Sequence, residues 1–248
     1  MSPKSNQQIE LLEDVQYQML LPHLQLVSLS EGEHLFRPGG GIEHAYFPVN
    51  ALIAIANEMT EATSIDMALM GNESSVGLMG VFYETCPYRV HVVGAGFAYK
   101  VSLRVLKCLG VVSDWVQKMY MQTMLEILRQ TAIEASCVNF HCTKERVARW
   151  LLIRTDRLGE NVIETTHHTI AECIGVRREG VTNALSKMPG VYTSRSHIEV
   201  LDRSVLMQES CECYRAHAQP LSRQMTLPFG VQSSSSWAAR TMTVVGAH

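Results

Sequence analysis

One stretch of twenty residues, 169–188, constrains the fold of this chain more than any other. It reads TIAECIGVRREGVTNALSKM and predicts two short helices joined at a glycine. A helix-turn-helix needs a small residue where its helices cross, a turn residue that tolerates positive φ, and an inward apolar residue in the second helix. Ala171, Gly175 and Val181 supply these at the spacing the motif requires. An ordinary helical hairpin is the alternative interpretation.

The outer face of the second predicted helix carries side chains suited to reading DNA bases. It consists of Arg177, Arg178, Glu179, Thr182 and Asn183. Arginine can hold guanine through two hydrogen bonds, glutamate can accept from the cytosine amino group, and asparagine can pair with adenine. In this motif the first residues of the second helix reach the base edges. A solvated surface is the alternative, but charges placed at the reading end favour DNA contact.

The residues around the motif predict contacts with the phosphate backbone. Thr169 lies near the start of the first helix and is expected to contact phosphate. After a Pro189-Gly190 break, VYTSR and HIEVLD predict a two-stranded hairpin with Arg195 near its tip. Such a hairpin would form the wing of a winged helix-turn-helix, and Arg195 would lie against a phosphate.

The N-terminal half of the chain has a different pattern of apolar residues. Residues 6–22 predict a short amphipathic helix. From Leu24 to Leu106, short apolar or alternating runs such as ALIAIA and RVHVVGA are separated by turn-forming segments such as RPGGGI and MGN. Many short strands at roughly ten-residue spacing are typical of an antiparallel sandwich or barrel.

A long helix is predicted to follow these strands, because residues 113–141 contain no glycine or proline. Residues about 3.5 positions apart form a partly apolar seam along it. The seam comprises Val116, Met119 or Tyr120, Thr123, Ile127, Gln130 or Thr131, and Glu134 or Ala135. A core helix is one interpretation. A dimer contact is favoured, because the seam is only partly apolar and the helix lies between two domains.

The fold class is therefore α+β, with an N-terminal antiparallel β jelly roll, a long dimerisation helix and a C-terminal winged helix-turn-helix. The N-terminal part of the chain is predicted to comprise a helical lead over 1–23 and a jelly-roll sensor domain over 24–112. A dimerisation helix follows over 113–141. The C-terminal part is predicted to comprise a DNA-binding domain over 142–214, with its helix-turn-helix core at 167–188, and a disordered tail over 215–248.

Composition restricts the class of protein further. The chain is 46% hydrophobic and 18% charged, which is enough to fill a globular core. Net charge is −6 over residues 1–142 and +2 over residues 143–204, an asymmetry that indicates different partners for the two parts. No apolar run approaches the ~18 residues of a membrane span. With seven cysteines and no export signal, a reducing cytoplasm is the expected location.

The sequence resembles the Crp/Fnr family of bacterial transcription regulators over roughly residues 20–214. The matching segments are YFPVNALIAI, MGNESSVGLMG, SCVNFHCTKERVARWLL, the helix-turn-helix, and IEVLD with CECY. The resemblance places Arg178 and Glu179 on the family's base-reading pair. Asn183 falls where the family usually has a third reading residue, arginine. Between Met188 and Ile198 the chain is about three residues shorter than the family pattern, which implies a small wing.

The sensor domain departs from the family's cyclic-nucleotide pattern. Members that bind cyclic AMP carry a Gly-Glu-x-Gly loop and a later arginine followed by a hydroxyl residue. Here Ser75 replaces that glutamate ahead of Gly77, and Glu73 is shifted by two positions. Arg89 matches the phosphate-binding arginine, but the hydroxyl residue beside it is missing. We expect a degenerate effector pocket at these four residues, no cyclic AMP as cofactor, and an effector that the sequence does not identify.

The cysteines give no clear metal pattern. The N-terminal cluster of the family's oxygen-sensing branch is absent, because the first cysteine is Cys86. Cys137 and His141, four residues apart, could ligate a metal together with Cys142. Cys211 and Cys213 are another possible pair. Small buried hydrophobes and one capping histidine are the favoured interpretation, so no metal ligand is predicted.

The expected function is that of a homodimeric, sequence-specific DNA-binding regulator controlled by an unidentified signal. Its expected partners are double-stranded DNA with a near-palindromic site, a second copy of the chain and RNA polymerase, with no membrane. No nucleophile–base arrangement or phosphate-binding glycine loop is recognisable, so no catalytic residues are predicted. The alternative is a ligand- or redox-sensing module that acts through protein partners.

Overall fold

The structure is a computed structural model that describes residues 1–60, 63–112, 114–194 and 196–218. The helices are α1 (Gln7–Glu10), α2 (Asp14–Leu20), α3 (Leu103–Val112), α4 (Trp115–Phe140), α5 (Thr143–Leu158), α6 (His167–Ile174), α7 (Arg178–Ser186), α8 (Arg203–Glu209) and α9 (Cys213–His217). The strands are β1 (Gln25–Leu29), β2 (His34–Phe36), β3 (His44–Pro48), β4 (Leu52–Thr60), β5 (Thr63–Met70), β6 (Arg89–Gly94), β7 (Gly96–Ser102), β8 (Val162–Glu164), β9 (Val191–Thr193) and β10 (His197–Val200).

The N-terminal domain consists of two facing antiparallel sheets, with strand orders β1-β7-β3 and β2-β6-β4-β5. Strand β6 shows the alternation that the sequence predicted, because every second side chain is buried. The core between the sheets contains Phe47, Ile53 and Met70, each fully buried. The predicted combination of antiparallel sheets, a long helix and a C-terminal helix-turn-helix is thus confirmed.

The single N-terminal helix predicted over residues 6–22 is wrong, since the segment forms two short helices, α1 and α2. Asn6 caps the first helix, and its buried side chain also donates to the carbonyls of Pro48 and Ser74. A capping box between Glu13 and Gln16 then starts the second helix in a new direction. The capping requirements therefore override the continuous apolar pattern.

The long helix α4 is present, but most of its predicted seam faces the chain's own jelly roll. Val116 and Met119 are buried in the jelly-roll core. Thr123 Oγ1 lies 3.1 Å from Ser75 Oγ, and the Gln130 amide exchanges hydrogen bonds of 2.8 and 2.9 Å with the backbone of Leu69. The assignment of these seam residues to a dimer contact was wrong, because they pack within the chain, whereas Ala135, an alternative last member of the seam, is exposed.

The opposite side of α4 is exposed along a row of small and apolar residues. The row comprises Met121, Leu125, Leu128, Ala132 and Ala135. Their spacing alternates between four and three residues, which is the spacing of the two core positions in a coiled-coil heptad. We refer to these five residues as the exposed heptad row.

The DNA-binding part packs around α5. Val147, Leu151 and Leu152 of α5 are fully buried and share one core with the two helices of the helix-turn-helix. Strands β8, β10 and β9 form a small antiparallel sheet beside them. Strand β10 pairs with β9, with Ile198 opposite Thr193, so the predicted hairpin is confirmed.

The C-terminal segment extends past the boundary predicted at residue 214. Helix α9 ends at His217, which is buried and lies 3.1 Å from Gln130 Oε1 through its Nε2. Residues 215–217 therefore pack on α4 and do not belong to a loose tail. The remainder of the predicted tail, from 219 onward, lies outside the described residues.

The two domains are joined by apolar and charged contacts. Helix α6 packs on strand β5, and Leu52, Ala54 and Leu69 of the sensor belong to the same core as the helix-turn-helix. Arg154 Nη2 lies 3.2 Å from Asp66 Oδ2, and Arg154 is buried while Asp66 is partly buried. Within the residues that the structure describes, no helix is long and apolar enough to cross a membrane.

Candidate nucleic-acid interface

The turn of the helix-turn-helix is built as the sequence pattern requires. Gly175 ends α6 with φ 65° and ψ 48°, the left-handed conformation that glycine adopts without strain. Ala171 and Val181 are buried where the two helices cross. Thr166 caps α6 by accepting a hydrogen bond from the backbone amide of Thr169 at 3.1 Å. These contacts fix the angle at which α7 leaves the domain.

The predicted base-reading face of α7 is open to solvent. Arg177, Arg178, Glu179, Thr182 and Asn183 are all exposed, whereas Val181, Ala184 and Leu185 are buried on the opposite face. Arg177 occupies the N-cap position but makes no side-chain cap. Because the first amides of a helix lack intrahelical partners, this end of α7 offers N–H groups as well as arginines to an anion.

The hydroxyl of Thr182 is partly committed to the protein. It donates to the carbonyl of Arg178 at 3.1 Å and lies 2.9 Å from Nδ1 of His167 on α6. With its proton given to that carbonyl, the oxygen accepts from the imidazole N–H. Burial, followed by the nearby Arg178 guanidinium, lowers the pKa of His167. The Thr182 hydroxyl therefore connects α7 to His167 of α6.

The structure describes one of the two predicted backbone contacts. Thr169 is exposed on the first turn of α6, next to its cap. The wing turn is short, since Ser194 N donates to His197 O at 2.9 Å. Exposed Tyr192 stands on strand β9 of the wing. Arg195, which the sequence places at the tip, lies outside the described residues.

Gly180 lies on the first turn of α7 and does not mark a tight contact with α6. A Cβ added there would meet only Thr143 Cγ2, at 3.6 Å, which is ordinary van der Waals separation. The nearby Gly175 differs, because an added Cβ would lie 3.2 Å from Ile65 Cδ1 on strand β5. The close approach is therefore between the Gly175 turn and strand β5, not at Gly180.

The four predicted effector residues do not form one ligand-binding set. Glu73 pairs with Arg157 of α5, and Arg89 Nη2 donates to Ser64 Oγ at 2.6 Å. Ser75 contacts Thr123 of α4. Gly77 has φ 87° and is packed so closely that an added Cβ would lie 2.4 Å from the His44 carbonyl oxygen. Polar groups able to hold a sugar and a phosphate therefore point in different directions.

The cavity at this place in the jelly roll is small and apolar. It has a volume of about 60 Å³. Two of the predicted effector residues, Ser75 and Gly77, line it. The rest of its lining is mostly apolar and includes Phe36, Ile55, Leu78, Val90 and Ile127. Pockets for ligands of drug size are usually several hundred Å³. Neither the size nor the lining suits a cyclic nucleotide.

A jelly roll joined by a long helix to a winged helix-turn-helix defines the class of Crp/Fnr-type transcription regulators. Residues 145–209 match the family model described as the Crp-like helix-turn-helix domain. The chain thus carries a Crp-like DNA-binding domain on the fold of Crp/Fnr regulators. No curated protein matches it in sequence.

Solved structures of Crp/Fnr regulators share this fold over most of the chain. A putative regulator of the family from Eubacterium rectale has a TM-score of 0.67 at 17% identity, covering 84% of this chain and 96% of that one. CLP, the c-di-GMP responsive global regulator of Xanthomonas campestris, has a TM-score of 0.63 at 17% identity, covering 77% and 100%. FixK2 of Bradyrhizobium japonicum has a TM-score of 0.62 at 16% identity, covering 76% and 98%.

Proposed function

We propose that this chain is a homodimeric transcription regulator that binds a near-palindromic DNA site in response to a signal at its jelly roll. The observation that carries the proposal is the arrangement of α7. Its base-reading side chains Arg178, Glu179 and Asn183 are exposed, while the other face of the helix is anchored in the domain core. A helix held in this way can enter the major groove without rearranging the domain.

The side chains of α7 have different proposed roles. Arg178 pairs with guanine through two hydrogen bonds, and Glu179 accepts from the amino group of cytosine. Asn183 lies one turn further along and pairs with adenine. Arg177, at the start of α7, is a further proposed base contact. Thr169 contacts a phosphate, and this contact sets the register without reading sequence. The site should therefore share two base pairs per half with related regulators and differ at a third.

The exposed heptad row on α4 is the proposed dimer contact. Leu128 is 65% exposed and Met121 is 53% exposed, although both lie on a long helix between two folded domains. Pairing of two such rows about a two-fold axis would bury them as coiled-coil core positions. The two recognition helices would then have to lie about 34 Å apart to read successive major grooves.

We propose that the signal reaches the DNA-binding domain through the side of α4 that contacts the jelly roll. The polar contacts of Thr123 and Gln130 connect the jelly roll to the same helix whose outer side carries the heptad row. A ligand that repacks the small apolar cavity would shift α4 and change the spacing of the recognition helices. RNA polymerase is the expected further partner, and cyclic AMP is not an expected effector.

Selection of bound fragments from random double-stranded DNA tests this function. We expect enrichment of a symmetric motif whose half-sites are about one helical turn apart. The selection is run with and without cell extract, so that a missing effector is supplied. Absence of any enriched motif under both conditions would overturn the proposal.

Paired variants separate base reading from charge. Arg178→Ala is expected to relax preference at one position per half-site, at a cost of about 1–3 kcal/mol on the preferred site. Lys187→Ala removes the same charge from the other end of the exposed helix and is the matched control. It should leave the preferred sequence unchanged. Equal loss of specificity in both variants would contradict the role given to Arg178.

A further inference from the structure

Four side chains from two distant stretches of the chain meet at the C-terminal end of α4. They are Cys137 and His141 from the last turn of α4 and its cap, Cys211 from the segment between α8 and α9, and Cys213, the first residue of α9. Their sulfur and nitrogen ligand atoms all lie within 4.8 Å of one another. We refer to these four residues as the Cys3His group. Its three cysteines are buried, and His141 is partly buried.

Two distances within the group match the edges of a metal tetrahedron. Cys137 Sγ lies 3.6 Å from Cys211 Sγ, and Cys213 Sγ lies 3.7 Å from His141 Nδ1. Tetrahedral zinc has Zn–S bonds of about 2.3 Å and Zn–N bonds of about 2.0–2.1 Å, which place neighbouring ligand atoms roughly 3.5–3.8 Å apart. A disulfide would require about 2.05 Å between the sulfurs. An iron–sulfur cluster would hold its thiolates further apart, since several atoms lie between them.

We propose that the Cys3His group binds one zinc ion. Three thiolates and one imidazole fill all four positions of a tetrahedral site, so the ion would be structural and would have no open position for catalysis. This proposal goes beyond the DNA-binding function and does not depend on it. It replaces the interpretation of these cysteines as small buried hydrophobes, because the fold brings Cys137 and His141 together with Cys211 and Cys213.

The second ring nitrogen of the histidine has the partner expected of a metal ligand. His141 Nε2 lies 3.2 Å from Glu212 Oε2, while Nδ1 faces the sulfur of Cys213. Metal-bound histidines usually donate their other N–H to a carboxylate or carbonyl, which fixes the tautomer and the ring orientation. Glu212 follows Cys211 and precedes Cys213, so a single short segment supplies two sulfurs and this carboxylate.

The buried charges around the group also suit the complex. One zinc ion with three thiolates and a neutral imidazole carries a net charge of −1. Arg146 and Arg149 are both buried nearby, whereas the only carboxylate paired with Arg149 within the described residues is that of Glu134, at 2.6 Å. Arg149 Nε and Nη1 have no hydrogen-bond partner in that part of the chain. A negatively charged zinc complex would balance this excess of buried positive charge.

Zinc binding would displace the thiol protons of the three cysteines to solvent, as it does in other thiolate sites. Cys142 is next to His141 in sequence but is exposed and starts α5 as its N-cap, so it is not part of the group.

The proposed ion would connect the C-terminal end of α4 to the last segment of the DNA-binding domain. Cys137 and Cys211 are 74 residues apart in the chain, so their connection holds α4 and the segment after α8 in one position.

Metal analysis of the full-length chain tests the proposal. The protein is purified in reductant without a metal-affinity column, and its zinc content is measured by mass spectrometry. We expect one zinc per chain, and the cobalt-substituted protein should show the intense visible absorption of a tetrahedral thiolate site. Cys211→Ser and Cys213→Ser should lose zinc. Cys142→Ser is the matched control and should retain it, because serine is a favourable N-cap.

A milder variant guards against loss of folding as the explanation. Glu212→Gln removes the proposed partner of His141 and should weaken zinc binding by about 10-fold in chelator competition, with an unchanged circular dichroism spectrum. Folded wild-type chain that holds no zinc after incubation with zinc in reductant would overturn the proposal. A disulfide between Cys137 and Cys211 in the purified protein, with no bound metal, would do the same.

Discussion

The Glu73 carboxylate lies 2.5 Å from a guanidinium nitrogen of Arg157, and this pair joins the jelly roll to the first helix of the DNA-binding domain. Glu73 is almost fully buried and also accepts a hydrogen bond from the amide of Gly71 at 3.1 Å. The acidic residue that the sequence assigned to an effector pocket is thus used to hold the two domains together. Charged pairs at this interface, including Arg154 with Asp66, make the position of the DNA-binding domain sensitive to substitutions in the sensor.

Removing Arg157 should therefore destabilise the domain interface. Arg157→Ala leaves the buried Glu73 carboxylate without its cation, and we expect the free energy of unfolding to fall by about 1–3 kcal/mol in urea denaturation. Adding Glu73→Gln should recover part of the loss, because the unpaired charge is then gone. Arg104→Ala, which removes an exposed arginine from α3, should change stability by less than about 0.5 kcal/mol. Additive effects of the two interface substitutions would count against the pairing.

The two glycines of the helix-turn-helix should respond to alanine in opposite directions. At Gly175, φ is 65° and Ile65 is close, so Gly175→Ala should lower the free energy of unfolding by about 1–2 kcal/mol. At Gly180 the backbone is helical and there is room for a methyl group. Gly180→Ala should raise stability by up to about 1 kcal/mol, as measured by thermal or urea unfolding. Destabilisation by Gly180→Ala would mean that this turn of α7 is more constrained than its contacts indicate.

The helix-turn-helix was predictable because its determinants are local. A glycine with positive φ, a threonine cap and one buried residue per helical turn each act within a few residues of chain. The same holds for the alternating strands such as β6 and for the stop at Gly159, which has φ 71°. Such features are visible in sequence because the responsible residues lie close together along the chain.

The residues that the sequence placed incorrectly depend on distant partners. Thr123 and Gln130 fit the seam of a dimer helix by periodicity, yet their hydrogen bonds go to Ser75 and Leu69 of the sensor. Periodicity shows that a helix has a preferred face but does not show what covers that face. The Cys3His group was missed for a similar reason, since its halves are separated by the whole DNA-binding domain. The signal available in the sequence was two short patterns, each with two potential metal ligands. They are Cys137 with His141, and Cys211 with Cys213.

Acid should destabilise the chain partly through His217. This side chain is buried against α4, where burial, followed by the charges of Arg157 and other arginines, lowers its pKa to about 3 from 6.5. A depressed pKa means that the folded state binds fewer protons, so the stability that His217 contributes is fully present above pH 6.5 and is lost as the pH falls toward 3. Between pH 6.5 and pH 5 the loss is about 2 kcal/mol.

Unfolding of wild type and His217→Gln across this pH range measures the contribution. Glutamine can keep a hydrogen bond toward Gln130 but does not titrate, so the slope of stability against pH should become smaller. His23→Gln is the control, since His23 is exposed on the N-terminal segment. An unchanged slope in His217→Gln would show that another group dominates the acid response.

Charge in the exposed heptad row should abolish association of the proposed dimer. Leu128 lies at the centre of the row, and Leu128→Asp would place a carboxylate against its own copy in the partner subunit, where burial is costly. We expect sedimentation to show a dimer for the wild type and a monomer for the variant, with DNA affinity reduced because each half-site is then bound separately. Leu11→Asp, at an exposed leucine outside α4, should remain dimeric. A dimeric Leu128→Asp variant would move the subunit contact to another face of the molecule.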